Sequence, residues 1–323
     1  MTVVQLVISL LFVSLPKVHC DIFDNIYVVH ATDSSVTMTC PVAFNGPLIW
    51  KHNNMRVVPK HTTYQAHNIT LNYELWFGEY SCWGVTENPE ELKKLGSVHL
   101  LEEDSDRTVS LLSCGAKSYD CIITCVWTGN DFKAVRLGLG SDCVSSFDGQ
   151  NNCNWVYPTA NLAGFHFNLS HSLSPYAEET APLVVTAEAI ISTSYVREIK
   201  RFYLRDIIQP DIPAVKCQLK DQNLNMKVEP PATWSTPRSF FPLEHEIAYI
   251  LKDNGKEVLS KDLHIPKDVS RVRVHSRDPL VPSSWSQWSP WKNVVTGDKK
   301  GKKHKGKHTI RCKTIKNNKT KLS

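Results

Sequence analysis

The chain has 323 residues, which allows two or three domains. Its net charge is +5, but the segment from Lys292 to the end contains 12 basic residues and only one acidic residue, Asp298. Taking these from the totals of 37 basic and 32 acidic residues leaves 25 and 31, so a mildly acidic body carries a basic tail. Past the first residues, no stretch approaches the roughly 20 apolar residues of a transmembrane helix, which argues against membrane insertion.

Residues 1–20 are typical of a secretory signal peptide. The apolar run from Val3 to Leu15 is too short to span a bilayer, and cleavage after Cys20 would fit. We therefore expect a secreted, extracellular protein. Ten cysteines then imply disulfides, and the nine that remain without Cys20 cannot all pair within one chain. Three glycosylation sequons agree with export, and their asparagines are Asn68, Asn168 and Asn318.

Residues 21–103 are predicted to form an immunoglobulin-like β-sandwich. Cys40 closes an alternating strand pattern, and Trp50 follows where a buried core tryptophan belongs. Tyr80 stands two residues before Cys82, the spacing of a tyrosine corner. A Cys40–Cys82 bridge packed on Trp50 is the expected core, and nothing in this domain suggests catalysis.

Residues 104–210 are predicted to form a second β-domain. Cys114 and Cys125 lie on two strand-like segments and are expected to bridge a hairpin. Cys143 and Cys153 flank a Ser/Asp/Gly/Asn turn and are the next expected pair. Cys121 falls at the tip of the first hairpin, without an evident partner.

Residues 211–297 are predicted to form a third β-domain. Cys217 lies on a predicted strand at a core-facing position and is expected to be a buried thiol. Near the end, tryptophans recur every third residue, the period of a polyproline-II segment. An alternating basic strand precedes them, so a cation–π ladder is expected, worth about 0.5–1 kcal/mol per exposed pair. The predicted ladder residues are Arg271, Arg273, Trp285, Trp288 and Trp291.

The segment Ser284-Trp285-Ser286-Gln287-Trp288-Ser289 resembles the tryptophan–serine box of class I cytokine receptors, which closes a fibronectin type III domain. Thrombospondin type 1 repeats also carry tryptophans at this spacing, but they need closely following cysteines, and the next one here is Cys312. The pattern Cys114-x-Ala-x-x-Tyr with Cys125-x-Trp resembles the preceding fibronectin domain of the same receptors. The resemblance implies an all-β chain, with an immunoglobulin-like sandwich before two fibronectin type III sandwiches.

Two further motifs, residues 202–211 and Thr233-Trp234-Ser235-Thr236-Pro237, resemble the interleukin-12 beta-subunit family, a subunit type shared with interleukin-23. The resemblance implies a subunit of a heterodimeric cytokine in immune regulation. Such a chain holds a four-helix-bundle alpha subunit at the elbow between its fibronectin domains, and the pair engages a cytokine receptor chain. The positions that match the family's contacts are Tyr119, Phe240 and Asp278, with Asp278 expected to pair with an arginine of the helix.

The cysteine that bonds the alpha subunit in this family is absent, since Ser174 stands in its place. We expect Cys121 to replace it because it lies two residues from Tyr119, with Cys312 as the runner-up. The sequence leaves open which alpha subunit and receptor the chain binds, and whether it forms a homodimer.

The tail, residues 298–323, is predicted to be flexible and basic. Heparan sulfate is its expected target, through Lys299, Lys300, Lys302, Lys303, Lys305 and Lys307. No aromatic residue is interleaved for base stacking, so no nucleic-acid role is expected. A plain solvated tail is the alternative.

No nucleophile elbow, phosphate-cradling glycine loop or zinc-spaced cluster lies within a domain. We therefore expect no enzyme activity, cofactor or metal. Two other functions remain open: a soluble class I receptor alpha chain of the interleukin-6 receptor type, and a heparan-sulfate-binding adhesion module.

Overall fold

The structure is a computed structural model. It describes residues 22–30, 32–57, 62–65, 67–72, 75–86, 91–105, 107–129, 131–144, 153–159, 164–220, 223–281, 283–297 and 309–314. The predicted signal peptide, the tail lysines between 299 and 307, and Asn318 lie outside these ranges.

The described residues form two compact units, and the first ends near residue 106. Its strands are β1 Ile26–Val29, β2 Ser35–Thr39, β3 Leu48–His52, β4 Met55–Arg56, β5 Thr62–Gln65, β6 Asn68–Asn72, β7 Gly78–Val85 and β8 Leu92–Glu103. One sheet has the order β1-β8-β7-β3-β4, with β1 parallel to β8, and the other has the order β2-β6-β5. These facing sheets form an immunoglobulin-like sandwich.

The core of this sandwich follows from alternation along its strands. Met38 on β2 and Ile69 on β6 are fully buried and lie opposite each other in register. The Cys40–Cys82 disulfide lies in the same core as the buried Trp50. The Tyr80 hydroxyl donates to the Trp76 carbonyl at 2.7 Å, so the tyrosine corner is present.

The second unit contains two further sandwiches. The strands of the first are β9 Leu112–Gly115, β10 Ile122–Trp127, β11 Ala134–Leu139, β12 Trp155–Val156, β13 Phe165–Ser170, β14 Leu183–Ile191 and β15 Ser194–Phe202. They pair in the orders β13-β10-β9 and β12-β11-β14-β15. Residues 190–196, at the tip of the last hairpin, belong to the first unit, and there Ser194 and Tyr195 of β15 also pair with β8. Disulfides join Cys114 to Cys125 and Cys143 to Cys153, the pairs expected from the sequence.

A short helix, α1 Leu204–Ile207, leads into the last sandwich. Its strands are β16 Ala214–Lys220, β17 Asn223–Glu229, β18 Glu244–Leu251, β19 Glu257–Ser260, β20 His264–Pro266, β21 Val269–Arg277, β22 Lys292–Gly297 and β23 Thr309–Thr314. The sheets are β16-β17-β20 and β19-β18-β21-β22-β23. The predicted all-β fold, an immunoglobulin-like sandwich followed by two fibronectin type III sandwiches, is confirmed.

Two predictions at the carboxyl end are wrong. Cys312 lies on β23 rather than in a flexible tail, because residues 309–314 pair with β22 along its full length. Cys217 is buried, but it is not a free thiol, because a disulfide joins it to Cys312. The bridge links β16 in one sheet to β23 in the other, so it closes the sandwich. Cys312 is therefore excluded as an interchain candidate.

Among the described residues, no helix is both long and apolar enough to cross a bilayer.

Candidate partner-binding site at the fibronectin elbow

The connection between the two fibronectin sandwiches is fixed by hydrogen bonds at both ends. Glu179 accepts from the backbone N–H of Leu204 at 2.6 Å and so holds the start of α1. Gln209 donates its backbone N–H to the Ala116 carbonyl at 2.8 Å and its side-chain amide to the Trp285 carbonyl at 2.9 Å. The elbow motif recognised in the sequence therefore ties the first fibronectin sandwich to the tryptophan box.

Tyr119 and Asp278, two of the three predicted contact residues, meet across this elbow. The Tyr119 hydroxyl donates to Asp278 Oδ2 at 2.8 Å, and the Tyr119 ring stacks on Phe241 with centroids 5.3 Å apart. Burial raises the pKa of Tyr119 well above its usual value, and the carboxylate of Asp278 adds to this effect. The phenol therefore stays protonated and acts as a donor.

Asp278 is 1% exposed, and this differs from the expectation that it pairs with an arginine of a partner. Its Oδ2 accepts from Tyr119, and its Oδ1 accepts from the N–H of Leu280 at 2.8 Å. Both carboxylate oxygens are thus engaged within the chain. Asp278 is better described as the residue that positions Tyr119.

The exposed surface at the elbow is formed by Tyr176 and Phe240, which are 57% and 50% exposed. Their rings meet edge to face with centroids 5.0 Å apart. Phe241 lies buried against both, and Trp234 donates its indole N–H to the Phe241 carbonyl at 3.0 Å. Two exposed aromatics thus rest on a rigid buried layer, the arrangement typical of an interface anchor.

Tyr176 is not among the contact residues predicted from the sequence. Its loop follows β13, and its hydroxyl donates to the Thr236 carbonyl in the other fibronectin sandwich at 3.1 Å. The sequence feature that could have pointed to Tyr176 is its position two residues after Ser174, where the family carries its bonding cysteine. Only the fold brings this loop against Phe240.

Cys121 is the one cysteine without a disulfide among the described residues, and it is exposed. Its carbonyl accepts from the N–H of His171 at 2.9 Å, three residues before Ser174. His171 also donates through Nε2 to the Asp120 carbonyl at 3.1 Å, since its Nδ1 accepts from the Leu173 N–H. The hairpin tip that carries Cys121 is therefore fixed beside the loop of Ser174.

The cation–π ladder is present on the outer face of β21. Arg277 lies over the Trp285 ring at 4.6 Å, and Arg273 lies over Trp288 at 4.6 Å and over Trp291 at 4.4 Å. Between them the His275 ring is stacked on Trp285 and Trp288, with centroids 4.1 and 3.6 Å away. Cross-strand acids pair with these side chains: Glu244 faces Arg277, and Glu246 faces His275.

The prediction that Arg271 joins the ladder is wrong: among the described residues, the arginines that lie over the three indoles are Arg273 and Arg277. Arg271 is exposed and lies opposite Asn293 of β22, beyond the last indole. Arg277 and His275 take the remaining places instead. Sequence alternation gives the outer face of β21, but only the pairing register decides which of its residues meet the indoles.

Serines hold the tryptophan segment onto β21. The Ser286 N–H donates to the Ser276 carbonyl at 2.8 Å, while its hydroxyl accepts from the Ser276 N–H at 3.1 Å. Ser289 makes the same reciprocal pair with Val274, at 2.8 and 3.0 Å. Ser286 and Ser289 therefore pair with β21 much as residues of a neighbouring strand would. The tryptophans that alternate with these serines face outward.

The three sandwiches, the elbow and the ladder form the architecture expected from the sequence resemblance to class I cytokine receptors. A family model described as "Cytokine interleukin-12p40 C-terminus" matches residues 109–191. Proteins named interleukin-12 subunit beta also match: that of Lama glama is 29% identical over 222 residues, covering 60% of this chain and 64% of its own length.

The protein of the same name from Felis catus is 30% identical over 213 residues, covering 59% of this chain and 63% of its own length. That of Ovis aries is 25% identical over 310 residues, with 82% and 90% covered. The chain thus spans just under two thirds of the llama and cat proteins. These matches confirm the resemblance found in the sequence: over the matched residues, the chain is similar to the interleukin-12 beta subunits.

Proposed function

We propose that this chain is a secreted, receptor-like subunit of a heterodimeric cytokine, which holds a four-helix-bundle alpha subunit at the fibronectin elbow and presents it to a signalling receptor. The observation that carries the proposal is the exposed pair Tyr176 and Phe240, supported from below by Phe241 and Tyr119. Rigid exposed aromatics on a buried layer gain contact area on binding at little entropic cost. The name shared by the relatives supports a cytokine-subunit role.

Cys121 supplies the covalent link in this proposal. It is exposed, unpaired among the described cysteines, and held beside the loop in which the family carries its bonding cysteine. A disulfide requires Cα atoms within about 7 Å, so the bonding thiol must lie at the interface. The hairpin tip of Cys121 meets that requirement if the elbow is the interface.

Co-expression with a helical alpha subunit tests both parts. Phe240→Ala and Tyr176→Ala should each weaken capture by about 2 kcal/mol or more, since interface anchors have values of this size. Leu259→Ala is the matched control: Leu259 is 58% exposed, but it lies on the edge strand β19. Capture that is equally strong in all three variants would place the partner elsewhere.

Cys121→Ser should convert the covalent heterodimer into a non-covalent one on a non-reducing gel, with capture otherwise retained. A covalent dimer that persists in this variant contradicts the assignment of Cys121, but leaves the elbow surface untouched.

A soluble receptor alpha chain is the second candidate, because the same fold and ladder serve that class. The two differ in secretion: a cytokine subunit leaves the cell bound to its helical partner, whereas a soluble receptor leaves alone. Secretion of the chain without a partner, from cells that make both, would favour the receptor.

A further inference from the structure

A groove of about 520 Å³ opens beside the elbow, and its described lining includes neither Tyr176 nor Phe240. Its floor is the outer face of β9 and β10, and its far wall is residues 209–212 of the linker, with Gln287 of the tryptophan segment. Gly115 lies on the floor, and a Cβ at that position would meet nothing nearer than the Ile207 carbonyl at 3.8 Å. The missing side chain therefore leaves the floor open.

A straight row of residues connects this groove to a glycosylation sequon. Asn168 on β13 lies directly opposite Thr124 on β10, and Thr124 lies directly opposite Gly115 on β9. All three point to the outer face, where Asn168 and Thr124 are exposed and the Thr124 hydroxyl donates to Asn168 Oδ1 at 3.4 Å. Two strand spacings separate Asn168 from Gly115, or about 10 Å, which is comparable to the length of a disaccharide.

The groove has the chemistry that a sugar needs. Val126 and the partly exposed Ile212 offer apolar surface to the C–H face of a pyranose ring. The ion pair of Lys117 and Asp211, with 3.0 Å between its nitrogen and oxygen, and the exposed amide of Gln287 offer both donors and acceptors. Sugar hydroxyls donate and accept, so this mixture suits them better than it suits an apolar helix face.

We propose that this groove seats the first two sugars of an N-linked glycan carried by Asn168. The glycan crosses the sheet over Thr124, enters above Gly115 and contacts both the linker and Gln287. It thereby braces the first fibronectin sandwich against the tryptophan segment of the second. The proposal depends on the export proposed above but not on the identity of the partner.

Enzymatic deglycosylation of the folded, secreted chain provides the first test, with site-specific mass mapping of Asn168. Gly115→Val fills the groove, and the backbone there needs no glycine conformation. It should speed release of the Asn168 glycan from the native protein by about tenfold, equivalent to about 1.4 kcal/mol of lost contact. Release from the denatured chains should be equal. An unmodified Asn168, or equal native rates, overturns the proposal.

Lysine labelling gives a second readout that does not depend on the Gly115 variant folding. Ser170→Ala removes the sequon while Asn168 is retained, and it should raise the labelling rate of Lys117 severalfold. Lys261 is the matched control, because it is 61% exposed and paired with Glu244, while Lys117 is 62% exposed and paired with Asp211. Unchanged Lys117 labelling in Ser170→Ala would show that no glycan covers the groove. Protection that appears only with an alpha subunit present would assign the groove to that partner and refute the proposal.

Discussion

Replacement of Trp288 by alanine tests whether the cation–π ladder stabilises the third sandwich. The Trp288 ring is stacked on His275 at 3.6 Å and lies under the Arg273 guanidinium at 4.6 Å. One aromatic contact and one cation–π contact together contribute about 1–2.5 kcal/mol. Truncation of a half-buried indole also leaves a void, which adds about 1 kcal/mol. We therefore expect the free energy of unfolding to fall by about 2–3.5 kcal/mol.

Since 1 kcal/mol shifts the melting temperature of a domain of this size by about 4–8 °C, the melting temperature of the third sandwich should fall by about 8–28 °C. Scanning calorimetry and secretion yield measure the effect. Trp76→Ala is the control, because Trp76 is 51% exposed and its ring lies 6.2 Å from His52 in the first unit. Normal melting and secretion of Trp288→Ala, together with lost partner capture, would show that the ladder is a docking surface and that this reasoning is wrong.

Replacing both Cys217 and Cys312 by alanine should lower the free energy of unfolding by about 2–5 kcal/mol in urea titrations, and a change below 0.5 kcal/mol would contradict a structural role for the bridge. Burial lowers the pKa of both His245 and His275, so the unfolded state binds protons more readily than the folded state. The free energy of unfolding should therefore have its full value above about pH 6.5 and fall below that pH. Melting temperatures at pH 7.5 and 5.5 measure this fall, and an unchanged fall in His275→Gln would exclude that histidine as a source. Glutamine in place of the lysines between 299 and 307 should abolish heparin retention at low salt without altering melting, whereas persistent retention would place the site elsewhere. Deletion of the whole tail is unsuitable, because it removes β23 and Cys312.

The sequence by itself determined the features that depend on short spacings. Cys40, Trp50, Tyr80 and Cys82 lie within one sandwich, and their spacing follows from the strand pattern of the immunoglobulin fold. The three-residue period of the tryptophans likewise predicted a ladder, since a polyproline-II segment repeats every three residues. Local periodicity fixes local backbone conformation, so such features can be recognised without knowing what packs against them.

Tertiary structure alone decided the contacts between segments distant in sequence. The Cys217–Cys312 bridge spans 95 residues and depends on β23 pairing with β22, which the lysine-rich composition around it concealed. His275 entered the ladder in place of Arg271 because the register with β22 sets where the indoles fall. Asp278 proved to be a buried partner of Tyr119, since the elbow brings together two residues 159 positions apart. The physical reason is common to all three: strand register and sandwich closure are set by the whole core, and no short window of sequence contains that information.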